Sequence, residues 1–374
     1  MMHSRLRQLT EQFAKDIKLG KYGTVGDRFL TVRELTSSHQ ISTDSACKIM
    51  AALQELQLIF LYGKHYYIMG GYAAPHTPLG TALAKTRQPL LALIVNRLDS
   101  PFFAALAKRL SEAAMQYGYT LLTVCGNNQT QYEAKLMDQL ISLGVCGIFT
   151  NPSIEPEVRR VYARSPLPVI AIGRDISLFN CDTVLVDNIS AGRQAADHLM
   201  EIGCEQFAYV GIPQYLNEDP RLRGYADQLK ASGKLLPESH ILAAKDLPDG
   251  RIDIDSISGS LKNCLRDLPK GKKLGIFCYH DLLAAAVLQR VKYISYRSDR
   301  TYLIPQDVAI VGFDDLPIAS AITPSLTTIT YRYEAIVSQA MTIMMDYINN
   351  SNHVPQIYEI NSALVIREST VLPS

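Results

Sequence analysis

The sequence predicts an α/β protein in two parts. A small helical domain with a β-hairpin precedes a two-lobed body of doubly wound parallel sheets. The chain has 374 residues, more than the roughly 250–300 at which a single hydrophobic core stops growing. Helical periodicity dominates the first part, whereas buried strands alternate with helices from Leu90 onward. The apolar fraction of 47% and charged fraction of 20% are those of an ordinary globular protein.

Charge and cysteine content narrow the function classes. A net charge of +1 argues against nucleic-acid binding over the whole surface, but residues 1–75 hold nine Lys and Arg against six Asp and Glu. The seven cysteines are scattered without a C-x-x-C pair, which indicates a reducing compartment and no zinc or other metal site. We find neither a signal peptide nor an apolar run near the ~20 residues of a membrane helix, so we expect a cytoplasmic protein without membrane contact.

Three helices are predicted in residues 1–72. The first carries apolar residues at helical spacing and stops near Gly20. The second starts at Thr31, and a longer third helix follows a turn at residues 40–42. The third helix buries one apolar stripe: Ala46, Ile49, Met50, Leu53 and Leu56. Two helices joined by a tight turn fit the major groove of DNA.

A hairpin is predicted directly after these helices. Two β-rich runs, 58–62 and 65–69, are separated by Gly63-Lys64, which is a hairpin signal. The hairpin would form the wing of a winged helix-turn-helix, with Lys64 and His65 at its tip.

Residues 17–27, 32–35 and 41–53 together resemble the DNA-binding domain of GntR-type regulators. The resemblance implies operator DNA as a partner, with contacts from Arg33, Ser42, Thr43, Asp44, Lys48, Lys64 and His65. Two arginines that the family often places on the recognition helix fall on Thr43 and Cys47 here. We therefore expect an unusual operator, or affinity carried mostly by phosphate contacts. The alternative is a winged helix that no longer reads DNA and signals through protein contacts.

A linker and the body follow. Residues 73–88 contain Pro, Gly, Ala and Thr without a clear period, which favours a linker. The body, 89–374, alternates strands and helices. Its predicted strands are 90–95, 119–124, 147–150, 168–172, 206–210, 274–278 and 308–311. Its predicted helices include 102–117, 136–143, 191–202, 221–232 and 281–291. Two such halves predict two lobes.

Four segments in this order resemble the effector domain of LacI/GalR-type repressors: Ser100-Pro-Phe-Phe103, Val186-Asp-Asn188, Arg221-Leu-Arg-Gly-Tyr225 and Val311-Gly-Phe-Asp-Asp315. The resemblance implies a periplasmic-binding-protein-like fold whose chain crosses three times between the lobes. Lobe 1 would hold about 89–188 and 326–357, and lobe 2 about 189–325 and 358–374. A homodimer is also implied. The arabinose repressor combines the same two families, so we expect a similar architecture.

A ligand site is expected between the lobes, where open α/β sheets leave a crevice at the carboxyl ends of their strands. The resemblance implies ligand contacts from Phe102, Phe103, Arg221, Asp281 and Asp314. For Asp281, capping of the helix that follows is an equal alternative. Gly173 stands where the family commonly has an acidic residue. A sugar is the expected effector, with a nucleobase or an acidic metabolite left open.

An enzyme is the competing class. The sequence contains no dinucleotide-binding glycine motif after a strand, no Walker loop, no nucleophile elbow and no H-E-x-x-H motif. We therefore predict no catalytic residues, no cofactor and no enzymatic activity. The combined features predict a ligand-responsive, DNA-binding transcriptional repressor.

Overall fold

The computed structural model describes residues 4–372, apart from the segments 24–26, 57, 63–64, 69–88, 127–128, 153–155, 164, 178–180, 247–251 and 350–352. The predicted linker, 73–88, and Lys64 lie outside the described residues. The chain divides into two compact units. One comprises residues 1–90 with 138–145, and the other comprises 91–137 with 146–374.

The N-terminal unit contains three helices followed by an antiparallel hairpin, as the sequence predicts. The helices are α1 (Ser4–Lys18), α2 (Val32–His39) and α3 (Thr43–Glu55), and the hairpin strands are β1 (Ile59–Tyr62) and β2 (His65–Ile68). Their core is apolar and fully enclosed: Phe13, Ile17, Phe29, Leu35, Ala46, Ile49, Met50, Leu53, Leu58, Ile59 and Ile68.

Local capping explains where α2 and α3 begin. The Thr31 side chain accepts from the Glu34 backbone N–H at 3.2 Å, and the Glu34 carboxylate accepts from the Thr31 N–H at 2.6 Å, which is a capping box. The Ser42 hydroxyl likewise accepts from the Ser45 N–H at 3.2 Å. Gln40, with φ of 51°, ends α2 in the left-handed region. The two helices are therefore joined by a tight turn.

The second unit contains two six-stranded sheets, one in each lobe. The lobe 1 sheet has the order β15-β7-β6-β5-β3-β4, and the lobe 2 sheet has the order β16-β14-β13-β12-β8-β9. The strands of lobe 1 are β3 (Leu90–Val95), β4 (Thr120–Cys125), β5 (Val145–Thr150), β6 (Val169–Ile172), β7 (Asp182–Val186) and β15 (Ile357–Ile360). Those of lobe 2 are β8 (Gln206–Gly211), β9 (Ile241–Ala243), β12 (Leu274–Cys278), β13 (Val308–Asp314), β14 (Thr327–Thr330) and β16 (Ala363–Val365). A short antiparallel pair, β10 (Lys245–Asp246) and β11 (Ile252–Asp253), stands outside both sheets.

Helices alternate with these strands. They are α4 (Pro101–Gln116), α5 (Thr130–Leu143), α6 (Pro156–Ala163), α7 (Asn188–Glu201), α8 (Pro220–Ala231), α9 (Ser258–Arg266), α10 (Asp281–Tyr296), α11 (Pro317–Ala321) and α12 (Tyr333–Asn349). The α/β class and the two parallel-sheet lobes predicted from the sequence are confirmed. The departure from parallel pairing is β16, which runs antiparallel to β14. None of the helices in the described part combines the length and apolar character needed to span a membrane.

The chain passes between the lobes at three places. Between β7 and α7 it enters lobe 2, between β14 and α12 it returns, and between β15 and β16 it crosses again. Residues 327–330 pair with β13, so they belong to lobe 2, and residues 357–360 pair with β7, so β15 belongs wholly to lobe 1. The expected boundaries at 326 and 358 are therefore a few residues too early, because the crossovers lie after these strands and not before or within them.

Candidate ligand-binding cleft

The N-termini of α7 and α8 lie side by side and position Arg221. A Cβ added at Gly192 would overlap the backbone of Arg221, and one added at Gly224 would overlap the carbonyl of Ile189. The two glycines thus allow backbone contact between the helices. The Asp219 side chain caps α8 by accepting from the Arg221 N–H at 3.0 Å. Arg221 is consequently held beside the first crossover.

The Arg221 side chain is fixed by both lobe 2 and the crossover. Its Nε donates to Asn188 Oδ1 at 2.8 Å, and its Nη1 donates to the carbonyl of Tyr279. The guanidinium carbon lies 3.5 Å from the Phe313 ring centroid and 4.6 Å from that of Tyr279. These contacts hold the planar fork in one orientation, with Nη2 as the remaining donor group.

Asp314 ends β13 and is buried, with 6% of its surface exposed. Its φ of 109° and the φ of 53° at Asp315 are both left-handed, a strained turn at the carboxyl end of the strand. Among the described residues, the Asp314 carboxylate accepts no side-chain hydrogen bond and forms no ion pair. Burial raises its pKa well above 3.8, and the nearby Arg221 charge opposes that rise. Asp314 is thus a buried carboxylate with open acceptor capacity.

Aromatic side chains from both lobes surround this pair. Phe102, at the start of α4, contacts Tyr331 edge-on at 4.7 Å and Tyr333 at 5.7 Å between ring centroids. Tyr331 in turn lies 6.4 Å from Phe313, the ring beneath Arg221. Phe103 packs on Phe102 at 5.1 Å. These rings form an apolar wall beside the polar groups.

Polar groups at the carboxyl ends of the lobe 1 strands complete the cleft. Asn151, directly after β5, donates to the Ile172 carbonyl at 2.7 Å, and Asn96, directly after β3, donates to Asn151 at 3.5 Å. Both amides are buried. Arg174 follows β6, and its Nη1 donates to the Pro152 carbonyl at 2.9 Å.

Arg174 also connects the two lobes. Its Nη2 donates to the Tyr215 hydroxyl, in lobe 2, at 2.8 Å. The Tyr215 ring stacks on Tyr279 at 5.6 Å with an interplanar angle of 14°. Because Tyr279 contacts Arg221, a continuous stack of rings and guanidinium groups runs from lobe 1 to the centre of lobe 2.

Asp281 stands apart from these groups. Its side chain is fully buried, and its oxygens accept from the Leu316 N–H at 2.7 Å and from the Thr328 hydroxyl at 2.6 Å. His280 caps α10, so the alternative of an Asp281 cap is wrong. By holding Leu316, Asp281 fixes the turn that carries Asp314. We therefore assign it a positioning role.

Of the five predicted ligand residues, the structure brings together Phe102, Phe103, Arg221 and Asp314, and places Asp281 behind them. Sequence reasoning missed five further polar or aromatic residues of the cleft: Asn96, Asn151, Arg174, Tyr215 and Tyr279. Each directly follows a strand or lies in the loop after one, which is the signal that could have found them. No cluster of metal-ligating side chains occurs in the part of the chain that the structure describes.

The predicted DNA contacts lie in the N-terminal unit. Arg33 is exposed on α2, and Thr43, Asp44 and Lys48 are exposed along α3. Lys48 forms an ion pair with Asp44 at 2.7 Å. The Ser42 hydroxyl is engaged in capping, and His65 is half-buried on β2. Lys64 falls outside the described residues.

Comparisons with known proteins concern mainly the body. The family model described as a periplasmic binding protein-like domain matches residues 196–370. The body is therefore similar to periplasmic-binding-protein-like effector domains of LacI/GalR-type regulators. The HTH-type transcriptional regulator DegA of Bacillus subtilis is 26% identical over 303 residues, which cover 79% of this chain and 80% of DegA. The repressor CytR of Escherichia coli is 25% identical over 299 residues, covering 78% and 82%.

Solved structures show the same similarity in fold. A periplasmic binding protein/LacI transcriptional regulator from Alkaliphilus metalliredigens, complexed with D-xylulofuranose, has 28% identity and a TM-score of 0.61, and the match covers 75% of this chain and 99% of that protein. The CelR–cellobiose complex has 22% identity and a TM-score of 0.62 over 90% of this chain and 93% of CelR. At 22% identity, the comparison with CelR supports the fold alone.

Proposed function

We propose that this protein is a ligand-controlled transcriptional repressor. A small, uncharged, polyhydroxylated molecule, in the class of free sugars, binds between the lobes of the effector domain. The N-terminal unit is a winged helix-turn-helix of the GntR type that binds operator DNA. The protein acts as a homodimer and has no enzymatic activity.

The observation that carries the proposal is that Arg221 and Asp314 lie near each other in the cleft, each with hydrogen-bonding capacity left over. The guanidinium is held at Nε and Nη1, which leaves Nη2 as a donor, and the carboxylate has open acceptor capacity. A fixed donor opposite a fixed acceptor suits a molecule whose hydroxyl groups both donate and accept. The aromatic wall of Phe102 and Tyr331 adds the apolar surface that a sugar ring packs against.

The charges in the cleft favour an uncharged effector over an acidic one. Both Nη groups of Arg174 already donate to protein groups, the Pro152 carbonyl and the Tyr215 hydroxyl. The Arg221 charge is faced by two carboxylates, Asp314 and Asp219. A ligand carboxylate or phosphate would have to displace these contacts, and burying an unpaired anion is costly.

The relatives support both halves of the proposal. DegA and CytR are transcriptional regulators, the ribose operon repressor of Halalkalibacterium halodurans is 26% identical over 282 residues, and the 28%-identical structure holds a sugar. In our proposal the sugar binds the closed arrangement of the lobes more tightly than the open one. Closure then changes the spacing of two DNA-binding domains. Because half-sites about 34 Å apart tolerate little misplacement, this change in spacing alters the affinity for operator DNA.

The DNA contacts that we propose for the N-terminal unit come mainly from exposed side chains. Arg33 and the residues at the start of α3 supply phosphate and base contacts, and the wing residue His65 contacts the neighbouring groove. The ion pair between Lys48 and Asp44 reduces the charge that α3 offers to phosphates. We therefore propose Arg33 as the main cationic contact of the helix-turn-helix.

The test uses selection of duplexes from a randomised library, followed by fluorescence anisotropy with the selected DNA. In parallel, thermal shift against neutral sugars, sugar acids and nucleobases identifies ligands of the folded state. We expect a salt-sensitive, sequence-specific complex and a shift with a neutral sugar that is lost in Asp314→Asn. Failure to select any duplex would refute the DNA-binding function, and a shift with acids alone would refute the uncharged effector.

A further inference from the structure

Tyr331 carries a buried hydroxyl without a partner. The residue is 2% exposed, and its hydroxyl has no hydrogen bond to any described group. Native proteins leave few buried polar atoms unpaired, because an unmade hydrogen bond in the interior is destabilising. By contrast, the equally buried hydroxyl of Tyr162, in lobe 1, donates to Glu133 at 2.5 Å. The unpaired hydroxyl of Tyr331 therefore calls for a functional explanation.

Gly173 leaves the space that this hydroxyl occupies. A Cβ added at residue 173 would overlap the Tyr331 hydroxyl oxygen, and the same Cβ would lie 3.2 Å from Asn151 Nδ2. Gly173 has a φ of +80°, a backbone conformation that favours glycine. The hydroxyl thus occupies the space above Gly173, beside a buried amide at the carboxyl end of the lobe 1 sheet.

The surroundings place this hydroxyl in the cleft and not in the general core. The Tyr331 ring contacts Phe102 of lobe 1 and approaches Phe313 of lobe 2. Its pKa is raised by burial and by the negative charge of the nearby Asp314. Tyr333 also has an unpaired hydroxyl. Its ring, unlike that of Tyr331, is covered by the Arg109 guanidinium, whose carbon lies 4.9 Å from the ring centroid, so we take Tyr331 as the candidate.

We propose that the Tyr331 hydroxyl is a specificity-determining contact of the effector site, given room by Gly173 and left unpaired until a hydroxyl-bearing ligand binds. The inference rests on the proposed function, since it names a residue that recognises the proposed sugar. In the ligand-free protein the hydroxyl is a local instability. In the complex it hydrogen-bonds to a ligand oxygen, so Tyr331 favours ligands that carry a hydroxyl at that position.

The first test compares Tyr331→Phe with Tyr162→Phe in the ligand-free protein. Tyr331→Phe removes an unpaired group, so the melting temperature is expected to stay unchanged or rise, by about 2–4 °C where the full penalty is relieved. Tyr162→Phe removes a satisfied hydrogen bond and leaves Glu133 unpaired, so its melting temperature is expected to fall. A fall of similar size in Tyr331→Phe would overturn the inference, because it would mean that the hydroxyl is a structural contact.

The second test measures binding of the neutral pentoses, hexoses and disaccharides to both proteins by calorimetry. For the tightest-binding sugar, Tyr331→Phe is expected to weaken binding by about 3–10-fold. Among deoxy analogues of that sugar, one is expected to bind wild type and Tyr331→Phe equally, because it lacks the contacted hydroxyl. Equal binding of the parent sugar would overturn this inference alone. If no sugar binds the wild type, the proposed function falls, and the inference falls with it.

The role of Gly173 is tested separately. Gly173→Ala is expected to lower the melting temperature, since the added methyl group overlaps the Tyr331 hydroxyl and the backbone is left-handed. In the double variant with Tyr331→Phe, the overlap is relieved and part of the loss is expected to return. Strictly additive effects would contradict the contact between these two residues.

Discussion

The hydrogen bond from Arg174 to Tyr215 joins the lobes away from the crossovers, and Tyr215→Phe removes it while keeping the ring. Both side chains are half-buried, and the N···O distance is 2.8 Å. A hydrogen bond to a charged group contributes about 1.5–3 kcal/mol, and partial exposure favours the lower end of that range. About 1.5 kcal/mol corresponds to a factor of roughly ten in the equilibrium between closed and open lobes.

The bond forms only when the lobes are together, so its loss favours the open arrangement. An effector that binds the closed arrangement should then lose apparent affinity by up to about tenfold. Calorimetric titration with the sugar identified by thermal shift measures this loss. Small-angle X-ray scattering of the ligand-free variant should show a larger radius of gyration, which saturating sugar restores to the wild-type value.

Tyr296→Phe is the matched control, because Tyr296 is 86% exposed on α10. It should leave both the affinity and the scattering unchanged. A Tyr215→Phe protein that matches this control in both measurements would refute the reasoning. Weaker binding with unchanged scattering would instead make Tyr215 a direct ligand contact.

Three further predictions concern stability and DNA binding. Burial raises the pKa of the Asp281 carboxyl from 3.8 to about 7, so the free energy of unfolding should fall as pH rises through that window. Asp281→Asn should make this fall smaller in urea titrations at pH 4.5 and 7.5; an unchanged pH profile would refute it. Gly224→Ala should lower the melting temperature by more than 5 °C, because the added Cβ overlaps the Ile189 carbonyl; a near-native value would contradict the close helix contact. Arg33→Ala should weaken DNA binding and reduce the slope of log K against log salt by about 1, and an unchanged slope would exclude a phosphate contact.

The regular elements were largely predictable from the sequence, because hydrophobic period and capping act locally. The strands 90–95 and 274–278 are reproduced to the residue. Thr31 caps the helix that it was predicted to start, and Ser42, at the end of the predicted turn, caps the next one. The crossovers were less predictable. Residues 327–330 could join either lobe on composition alone, and only pairing with β13 assigns them to lobe 2.

The cleft was predictable where a side chain follows a recognisable motif. Arg221 and Asp314 were found in this way, and both lie in the cleft. The protein contacts of Asp281 with Leu316 and Thr328 could not be predicted, because they depend on the turn after β13, which leaves no sequence period. The bridge between Arg174 and Tyr215 joins residues from different lobes, so no local pattern could indicate it.

The central claim is that a ligand between the lobes controls DNA binding, and fluorescence anisotropy with selected operator DNA tests it most directly. We predict that saturating sugar changes the DNA affinity of the wild type by roughly 5–150-fold, the range of typical coupling energies. Asp314→Asn should bind the same DNA with wild-type affinity and show no response to the sugar. A wild-type protein whose DNA affinity is unchanged by a sugar that binds it would contradict the account.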